Sequence, residues 1–560
     1  MTTKAYWPQR VENVQMDMRD TDGRPDTSGS WLSDDEDGES MKKTFKNGKV
    51  QVRSTDVEKN HSADSKTGGD EVVGSTSLYD ENGKIRLVPT PTPDPKDPLN
   101  LPNWRKWVAI GSMCLFGALS LSAEVAIAGL LPVFLLEYSG VDPTKVLKDP
   151  NFKSDPANPL SIVPEGVTPF PLYFLIPLSI AIGRRPVLIF TATCSWAGGF
   201  WAGSSTSLQA HIAARILHGL GSGAVEALLP LIVQDMVFLH QRNRAMSAVI
   251  ASQGPLIVLV GTLAPYISAN STWRWIYWST SILGVVAWIM LIVFVPETRK
   301  TRSARELAGE KIYPISEGAD RTELDYATYG QRTMKDNVGF FTLGFQWLEA
   351  GKQLIDTLKT TMFPAVIFGT LVNSAFSINP FRVDGTCRHP SIFATVIVYF
   401  FGGPLADKLS IKMSQVLGKG KREPEYSLPN LILPFVLGIA GCFLFGVAAQ
   451  NNLHFSVLLL GSFFILSGAL TSLTLVNSFV IESYPQWAGP VLTNVSSLRI
   501  FVSFFFSSQV TTWIEQNGNL AVFAGGFATM LLVVSLGIPA IFFTGKRLRG
   551  WTSGGIAKKQ

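Results

Sequence analysis

Residues 275–295 read WIYWSTSILGVVAWIMLIVFV, which is 21 consecutive positions without a charged side chain. An α-helix rises 1.5 Å per residue, so this stretch would form a helix about 31 Å long. That length matches the hydrocarbon core of a lipid bilayer, which is about 30 Å thick. The stretch therefore predicts a helix that crosses a membrane.

Similar apolar runs lie on both sides of it. Two of them, 168–182 and 391–405, have only 15 residues each and hold the second and eighth places along the chain. We expect an all-α polytopic membrane protein with twelve transmembrane helices in two six-helix halves, a plan typical of transporters built from repeats. The twelve runs are 107–136, 168–182, 187–205, 210–233, 245–268, 275–295, 361–380, 391–405, 428–449, 455–480, 489–513 and 521–544.

The polar residues divide the 560-residue chain into five parts. Residues 1–100 carry 33 of its 91 charged side chains, and so polar a segment cannot bury enough apolar surface to offset its ordering entropy. We predict a disordered cytoplasmic N-terminal tail (1–104), an N-terminal six-helix half (105–295), a cytoplasmic central loop (296–360), a C-terminal six-helix half (361–544) and a cytoplasmic C-terminal tail (545–560).

The net charge of +5 is interpreted as membrane orientation, with no nucleic-acid partner, because the basic residues lie in short loops. Beyond residue 100, 26 Lys and Arg side chains fall on one side of the predicted membrane and six on the other. Basic loops face the cytoplasm, so both termini are predicted inside. On the outer side, Asn270-Ser271-Thr272 matches a glycosylation acceptor. We expect a monomer in the lipid bilayer of the plasma membrane, with the vacuolar membrane as the alternative.

Four ionisable residues fall within predicted spans, where such residues are costly and often functional. Glu124 would lie about 25 Å and Arg215 about 20 Å from the cytoplasmic side. At these depths the two could form an ion pair that protonation of Glu124 would break, coupling proton binding to helix movement. A purely structural pair, or an Arg215 bonded to backbone carbonyls, is the alternative.

Arg499 would lie about 15 Å deep, near the midplane, where it suits an anionic substrate group or a buried carboxylate. Glu226 is the fourth ionisable residue, and reaching water from the end of its span is its alternative role. Asn373 and Asn477 are candidate cavity-lining amides, for which helix–helix hydrogen bonding is the alternative. We therefore group Arg499, Glu226, Asn373 and Asn477 as candidate substrate-binding residues.

No catalytic set is visible in the sequence. It lacks the GxxxxGK[ST] phosphate loop, HExxH and GxSxG, and its six histidines are scattered. Its cysteines show no CxxC spacing that would suggest zinc. We therefore expect neither an enzyme nor a bound metal or cofactor, and transport would draw on an ion gradient.

Several motifs together resemble the major facilitator superfamily, in particular fungal twelve-span members of the multidrug and proton-antiporter type. Gly183-Arg184-Arg185-Pro186 matches the end of that family's cytoplasmic GxLADRxGRR motif, and Gly403-Pro-Leu-Ala-Asp407-Lys408 repeats the motif in the second half. Arg215-x-x-x-Gly219-x-Gly221 matches its span-four motif, in which the arginine is implicated in proton coupling. Further matches are Asp97-Pro98-Leu99-Asn100 before the first span and Pro296-Glu297-Thr298-Arg299 after the sixth.

The resemblance implies alternating access controlled by a conformational latch on the cytoplasmic side. The latch residues carried over are Gly183, Arg184, Arg185, Gly403, Asp407 and Lys408. Ile180 and Ala181 replace the family's Asp and Arg in the first copy, and the span-five antiporter pattern is degenerate.

The function expected is secondary active transport of a small organic molecule, with protons driving efflux of a drug-like compound or secondary metabolite. Uptake of a nutrient such as a polyamine or amino acid is the alternative within transport. A non-transporting membrane receptor or scaffold that signals through the 1–104 tail is the alternative from another class.

Overall fold

The structure is a computed structural model. It describes residues 74–77, 86–125, 130, 133–134, 137–138, 167–310, 312–314, 321–339, 344–377, 391–418 and 420–557.

The N-terminal half is a set of apolar helices, and those from Pro169 onward are joined by short loops. Pro230 lies within the helix Leu208–Met236, and the helices Arg242–Ala251 and Gln253–Asn270 follow each other with one residue between them. The helices are α1 (Asn103–Val125), α2 (Pro169–Ala181), α3 (Arg184–Ser204), α4 (Leu208–Met236), α5 (Arg242–Ala251), α6 (Gln253–Asn270) and α7 (Arg274–Phe294).

The central region contains short helices, and the C-terminal half contains long helices, as the N-terminal half does. A two-stranded antiparallel sheet pairs β1 (Thr76–Ser77) with β2 (Lys421–Arg422). The helices are α8 (Ala304–Leu307), α9 (Tyr326–Tyr329), α10 (Met334–Val338), α11 (Trp347–Thr360), α12 (Pro364–Ser377), α13 (Ser391–Gly402), α14 (Pro404–Val416), α15 (Ile432–Gln450), α16 (Phe455–Ser483), α17 (Ala488–Leu520), α18 (Ala528–Ser535) and α19 (Gly537–Ala557).

Each of the twelve predicted runs contains helix. Within the described residues, nine helical stretches are long and apolar enough to cross a bilayer, or ten when α11 and α12, which meet at 75°, are counted as one span. The remaining runs include α2, whose 13 residues span only about 20 Å. The predicted all-α membrane fold is therefore confirmed, and the number of spans is consistent with twelve.

The apolar surface of α7 shows how a helix in this fold divides between protein and lipid. Ile282, Val286, Ile289 and Val293 follow helical spacing and are each about half exposed, whereas Leu291 is fully buried. An exposed apolar stripe of this kind is suited to hydrocarbon. Inside the protein each half has its own hydrophobic cluster, and Ile481, Ala488 and Leu492 of the second half join the cluster of the first.

Two glycines allow the backbone to turn or to approach closely. Gly183, between α2 and α3, has φ of +117°, which side chains rarely adopt. At Gly198 of α3, an added Cβ would lie 2.6 Å from the backbone nitrogen of His218 on α4. Close packing of α3 on α4 therefore depends on the missing side chain.

Residues 86–102, here called the strap, correct one predicted boundary. They were expected to belong to the disordered 1–104 tail, but they are folded against the segments around residues 239 and 300–306. The backbone nitrogen of Leu239 donates to Val88 (2.7 Å), that of Thr90 donates to Glu306 (2.9 Å) and Lys300 pairs with Asp94 (2.8 Å). Of the remaining tail, only residues 74–77 and 103–104 lie within the described residues.

At the centre of the strap is a buried ion pair. The two carboxylate oxygens of Asp97, which is fully buried, accept from the two terminal guanidinium nitrogens of Arg302 at 2.6 and 3.2 Å. They also accept from the backbone nitrogen of Leu99 and the hydroxyl of Thr92. Burial alone would raise the pKa of Asp97, but Arg302 and these hydrogen bonds hold it below its ordinary value. The strap is thus stabilised by a buried ion pair. The polar composition from which disorder was predicted does not show such a pair.

A second charged cluster fixes β1 to the C-terminal half. The hydroxyl of Ser75 donates to Glu423 at 2.6 Å, and Glu423 also binds Lys546 and Arg549 at 2.7 and 2.8 Å. Arg549, only 2% exposed, binds Glu425 as well. The N-terminal segment is therefore attached to both halves.

Candidate functional site

An ion pair joins the two halves within the helical bundle. Arg499 of α17 lies 2.8 Å from Glu226 of α4, and the two side chains are 14% and 17% exposed. The hydroxyl of Ser496, one turn before Arg499, donates to the backbone oxygen of Glu226 at 3.2 Å. Sequence reasoning named Arg499 and Glu226 separately as substrate-binding candidates, and the structure brings them together.

A cavity lies beside this pair. It is small and partly open in this conformation, and α4, α5, α6 and α16 line it. Glu226, Gln253 and Asn477 provide its polar groups, and the buried side-chain oxygen of Asn477 has no hydrogen-bond partner among the described residues. Apolar side chains such as Leu473 form the rest of the wall. A cavity of this character suits a mostly apolar molecule with a few polar groups.

Asn373 does not line this cavity. It is buried on α12, with 2% of its surface exposed. Of the two amides predicted to line a cavity, the structure thus places only Asn477 there.

The structure does not pair Glu124 with Arg215. Glu124 is half-buried in the last turn of α1, whereas Arg215 is buried on α4, near His211 and Tyr277. One terminal nitrogen of the Arg215 guanidinium has no hydrogen-bond partner among the described residues. The predicted Glu124–Arg215 ion pair is therefore not formed in this conformation.

Two histidines on α4 were missed by sequence reasoning. His211 and His218 flank Arg215 at positions i−4 and i+3, so the three lie along one face of the helix. His211 contacts the hydroxyls of Tyr138 and Tyr277 at 2.9 and 3.0 Å. His218 contacts two backbone oxygens instead, as described below. The spacing of these residues is the signal that could have identified them.

The first latch region is completed by residues from the end of α7. The carboxylate of Glu297 accepts hydrogen bonds from the backbone nitrogens of Arg184 and Arg185, at 3.0 and 3.2 Å. These nitrogens lie at the N-terminal end of α3, where the helix dipole stabilises a negative charge. Arg184 pairs with Asp235 at the end of α4. Gly183 lies so close to Glu297 that an added Cβ would be 2.4 Å from its carboxylate.

Arg299 supports the opposite helix end. Its guanidinium donates to the backbone oxygens of Ile180 and Ala181, at 2.6 and 2.9 Å, in the last turn of α2. Ile180 and Ala181 are the positions where the family motif carries charged side chains. Arg299 and Glu297 therefore place charge at this turn from a neighbouring segment.

The second latch region connects the two halves. Asp407 of α14 is buried and accepts from the backbone nitrogen of Arg244, at 3.1 Å, in the first turn of α5. At Gly403 an added Cβ would lie 2.2 Å from the hydroxyl of Ser247, so the two segments are in close contact. Lys408 is exposed.

Asn270 is exposed at the last position of α6, and its amide donates to the backbone oxygen of Tyr266 at 2.9 Å. Glycosylation there stays a prediction. Within the described part of the chain, no group of three His, Cys, Asp or Glu side chains is placed to hold a metal ion.

Two bundles of apolar helices that meet at a cavity and a charge pair are typical of multi-pass membrane transporters. The family model described as Major Facilitator Superfamily matches residues 166–531, and the chain belongs to this superfamily.

Fungal transporters are among the proteins of similar sequence. The chain is 22% identical to an uncharacterized MFS-type transporter of Schizosaccharomyces pombe, over 85% of this chain and 90% of the relative. It is 24% identical to the efflux pump radE of Floropilus chiversii, over 88% of this chain and 91% of the relative. Among solved structures, the proton:xylose symporter XylE has a TM-score of 0.52 at 17% identity, covering 79% of this chain and 96% of XylE. That likeness concerns the fold.

Proposed function

We propose that this protein exports a drug-like compound or secondary metabolite by alternating access, driven by protons. The observation that carries the proposal is the Arg499–Glu226 ion pair beside a mostly apolar cavity. The related pump radE, named for efflux, supports the direction. The plasma membrane is the proposed location, and the protein acts as a monomer.

In this mechanism the substrate binds between the halves. Gln253 and Asn477 supply hydrogen bonds, while the apolar wall accommodates the rest of the molecule. An anionic group on the substrate would compete with Glu226 for Arg499, since both would bind the same guanidinium. Substrate binding would then loosen a contact between the halves.

Protons enter through the face of α4 that carries Arg215. The buried Arg215 cation favours a nearby carboxylate, and Glu124 moves toward it in another conformation of the transport cycle. The second latch, Asp407 at the N-terminal end of α5, holds the halves together between these steps.

The test uses cells that lack their own drug pumps and a panel of fluorescent lipophilic compounds. Arg499→Glu and Glu226→Arg should each abolish export at normal surface expression, because each places like charges together. The combined variant should recover part of the export, because it restores opposite charges. Asn373→Ala is the matched control, since Asn373 is buried but away from the cavity, and it should leave the substrate profile unchanged.

Net accumulation of the same compounds, dependent on this protein, would show uptake and refute export. Equal export with and without a pH gradient would refute proton coupling. If the two single variants and the double variant all reach the cell surface and the double variant recovers no export, the role of the ion pair is refuted.

A further inference from the structure

His218 contacts backbone oxygens through both nitrogens of its ring. Nδ1 lies 2.9 Å from the oxygen of Ser195 on α3, and Nε2 lies 2.9 Å from the oxygen of Ser120 on α1. The side chain is 8% exposed. His218 therefore joins α4 to two neighbouring helices of the first half at once.

The chemistry of these contacts determines the protonation state that suits them. A backbone oxygen can only accept a hydrogen bond, so each contact requires an N–H on the ring. Neutral imidazole has one N–H and one bare nitrogen, and the bare nitrogen would face an oxygen lone pair. Only the imidazolium form, with two N–H groups, satisfies both contacts.

His211, two turns earlier on α4, provides the comparison within the same helix. Its partners are the hydroxyls of Tyr138 and Tyr277, and a hydroxyl can either donate or accept. A neutral His211 can donate to one tyrosine and accept from the other. The requirement for a positive ring is thus specific to His218.

A small, partly open cavity adjoins His218. Its wall combines apolar side chains such as Phe116 and Leu119 with the hydroxyls of Ser120, Ser195, Thr280 and Ser281. The hydroxyls of Ser120 and Ser195 are 2.8 Å apart. The ring therefore borders a cavity that carries polar groups.

The charged and titratable groups around the ring act in opposite directions. Arg215, three residues earlier, is a positive charge on the same helix, and Glu124, one turn beyond Ser120, is a negative charge on α1. On α3 the titratable residue next to Ser195 is Cys194, and on α7 Tyr277 lies one turn before Thr280. Both are neutral in their ordinary form near pH 7.

We propose that His218 is a proton-binding site which, when protonated, ties α4 to α1 and α3, and which releases one of these helices when the proton leaves. The inference deepens the proposed function, because it rests on transport being coupled to protons. It assigns the transported proton to an imidazole on the face of α4 that also carries Arg215.

The direct test is nuclear magnetic resonance of the full chain in lipid nanodiscs with ¹⁵N-labelled histidine, titrated from pH 5 to 9. The His218→Gln and His211→Gln variants assign the two signals. The expected result is a His218 signal with both nitrogens protonated at the low end of this range, which gives way to a signal with one bare nitrogen at the high end. A single form of His218 throughout the range, of either kind, would overturn the proposal.

Transport provides the second test, in vesicles with an imposed pH gradient. Glutamine is uncharged and does not bind a proton near pH 7, so His218→Gln should lower gradient-driven export at least tenfold while downhill flux without a gradient persists. His211→Gln, the matched control, should keep its dependence on the gradient. If wild-type export does not depend on the pH gradient, the proposed function fails. If wild-type export depends on the gradient and export by His218→Gln depends on it equally, the His218 assignment fails. Should His218→Gln not reach the membrane, the titration of the wild-type protein decides, with the His218 signal assigned by elimination through variants of the other five histidines.

Discussion

Replacing Arg302 by alanine should release the strap from the rest of the protein. Asp97 is fully buried and Arg302 is 7% exposed, and two hydrogen bonds of 2.6 and 3.2 Å join them. Removing one partner of a buried ion pair typically costs about 3–5 kcal/mol, because the remaining charge is left uncompensated. The bonds from Leu99 and Thr92 stay in place, so the lower part of this range is expected.

Hydrogen–deuterium exchange of the purified full chain measures this effect locally. A loss of about 3 kcal/mol corresponds to a more than hundredfold increase in opening, so the amides of Thr92 and Leu99, which both bind Asp97, should exchange about a hundred times faster. Amides in the middle of α4 should be unaffected. Arg305→Ala is the matched control, because Arg305 is 72% exposed in its pair with Glu310 and such pairs contribute little.

The same site predicts a pH dependence. The pKa of Asp97 is lowered in the folded protein, so its stabilising contribution is present above the unfolded value of about 3.9 and is lost as the pH falls through the lower, folded value. Strap protection in the wild type should therefore decrease below about pH 4, and Arg302→Ala should lack this step. Unchanged exchange at Thr92 and Leu99 in Arg302→Ala would refute the reasoning.

Three further outcomes are expected. Gly183→Ala should lower the melting temperature of the detergent-purified protein, since φ of +117° costs a side-chain-bearing residue about 1–3 kcal/mol; an unchanged melting temperature would contradict this. Glu297→Ala should destabilise by about 1–3 kcal/mol for each backbone donor left unsatisfied at the start of α3, with Glu349→Ala, an exposed carboxylate on α11, as the control in the same assay. Asn270→Gln should remove any glycosidase-sensitive mobility shift on gels; a shift that persists would place the glycan elsewhere.

Much of the fold could be predicted because lipid imposes a simple rule on sequence. Every span must satisfy its own backbone within apolar residues, so runs such as 275–295 identify helices such as α7 without knowledge of their neighbours. This rule does not apply to the strap. Its stability comes from the ion pair between Asp97 and Arg302, 205 residues later, and composition does not show which distant residues will pair.

The candidate site was predicted as separate residues but not as an arrangement. Arg499 and Glu226 were recognised because charge within a span is costly, yet their pairing depends on how α17 crosses α4. Glu124 and Arg215 were matched by depth alone, and depth does not specify which way a side chain points. His218 went unnoticed because its significance lies in two backbone oxygens, which every residue possesses.

The strap also bears on how this protein should be shortened or tagged for purification. A hydropathy profile would suggest starting a truncated chain at Asn103, just ahead of the first apolar helix. Such a chain would strip Arg302 and Lys300 of their carboxylate partners, and it would remove the strand that pairs with Lys421 and Arg422. A cleavable affinity handle is better placed upstream of residue 74, where it leaves every one of these contacts intact.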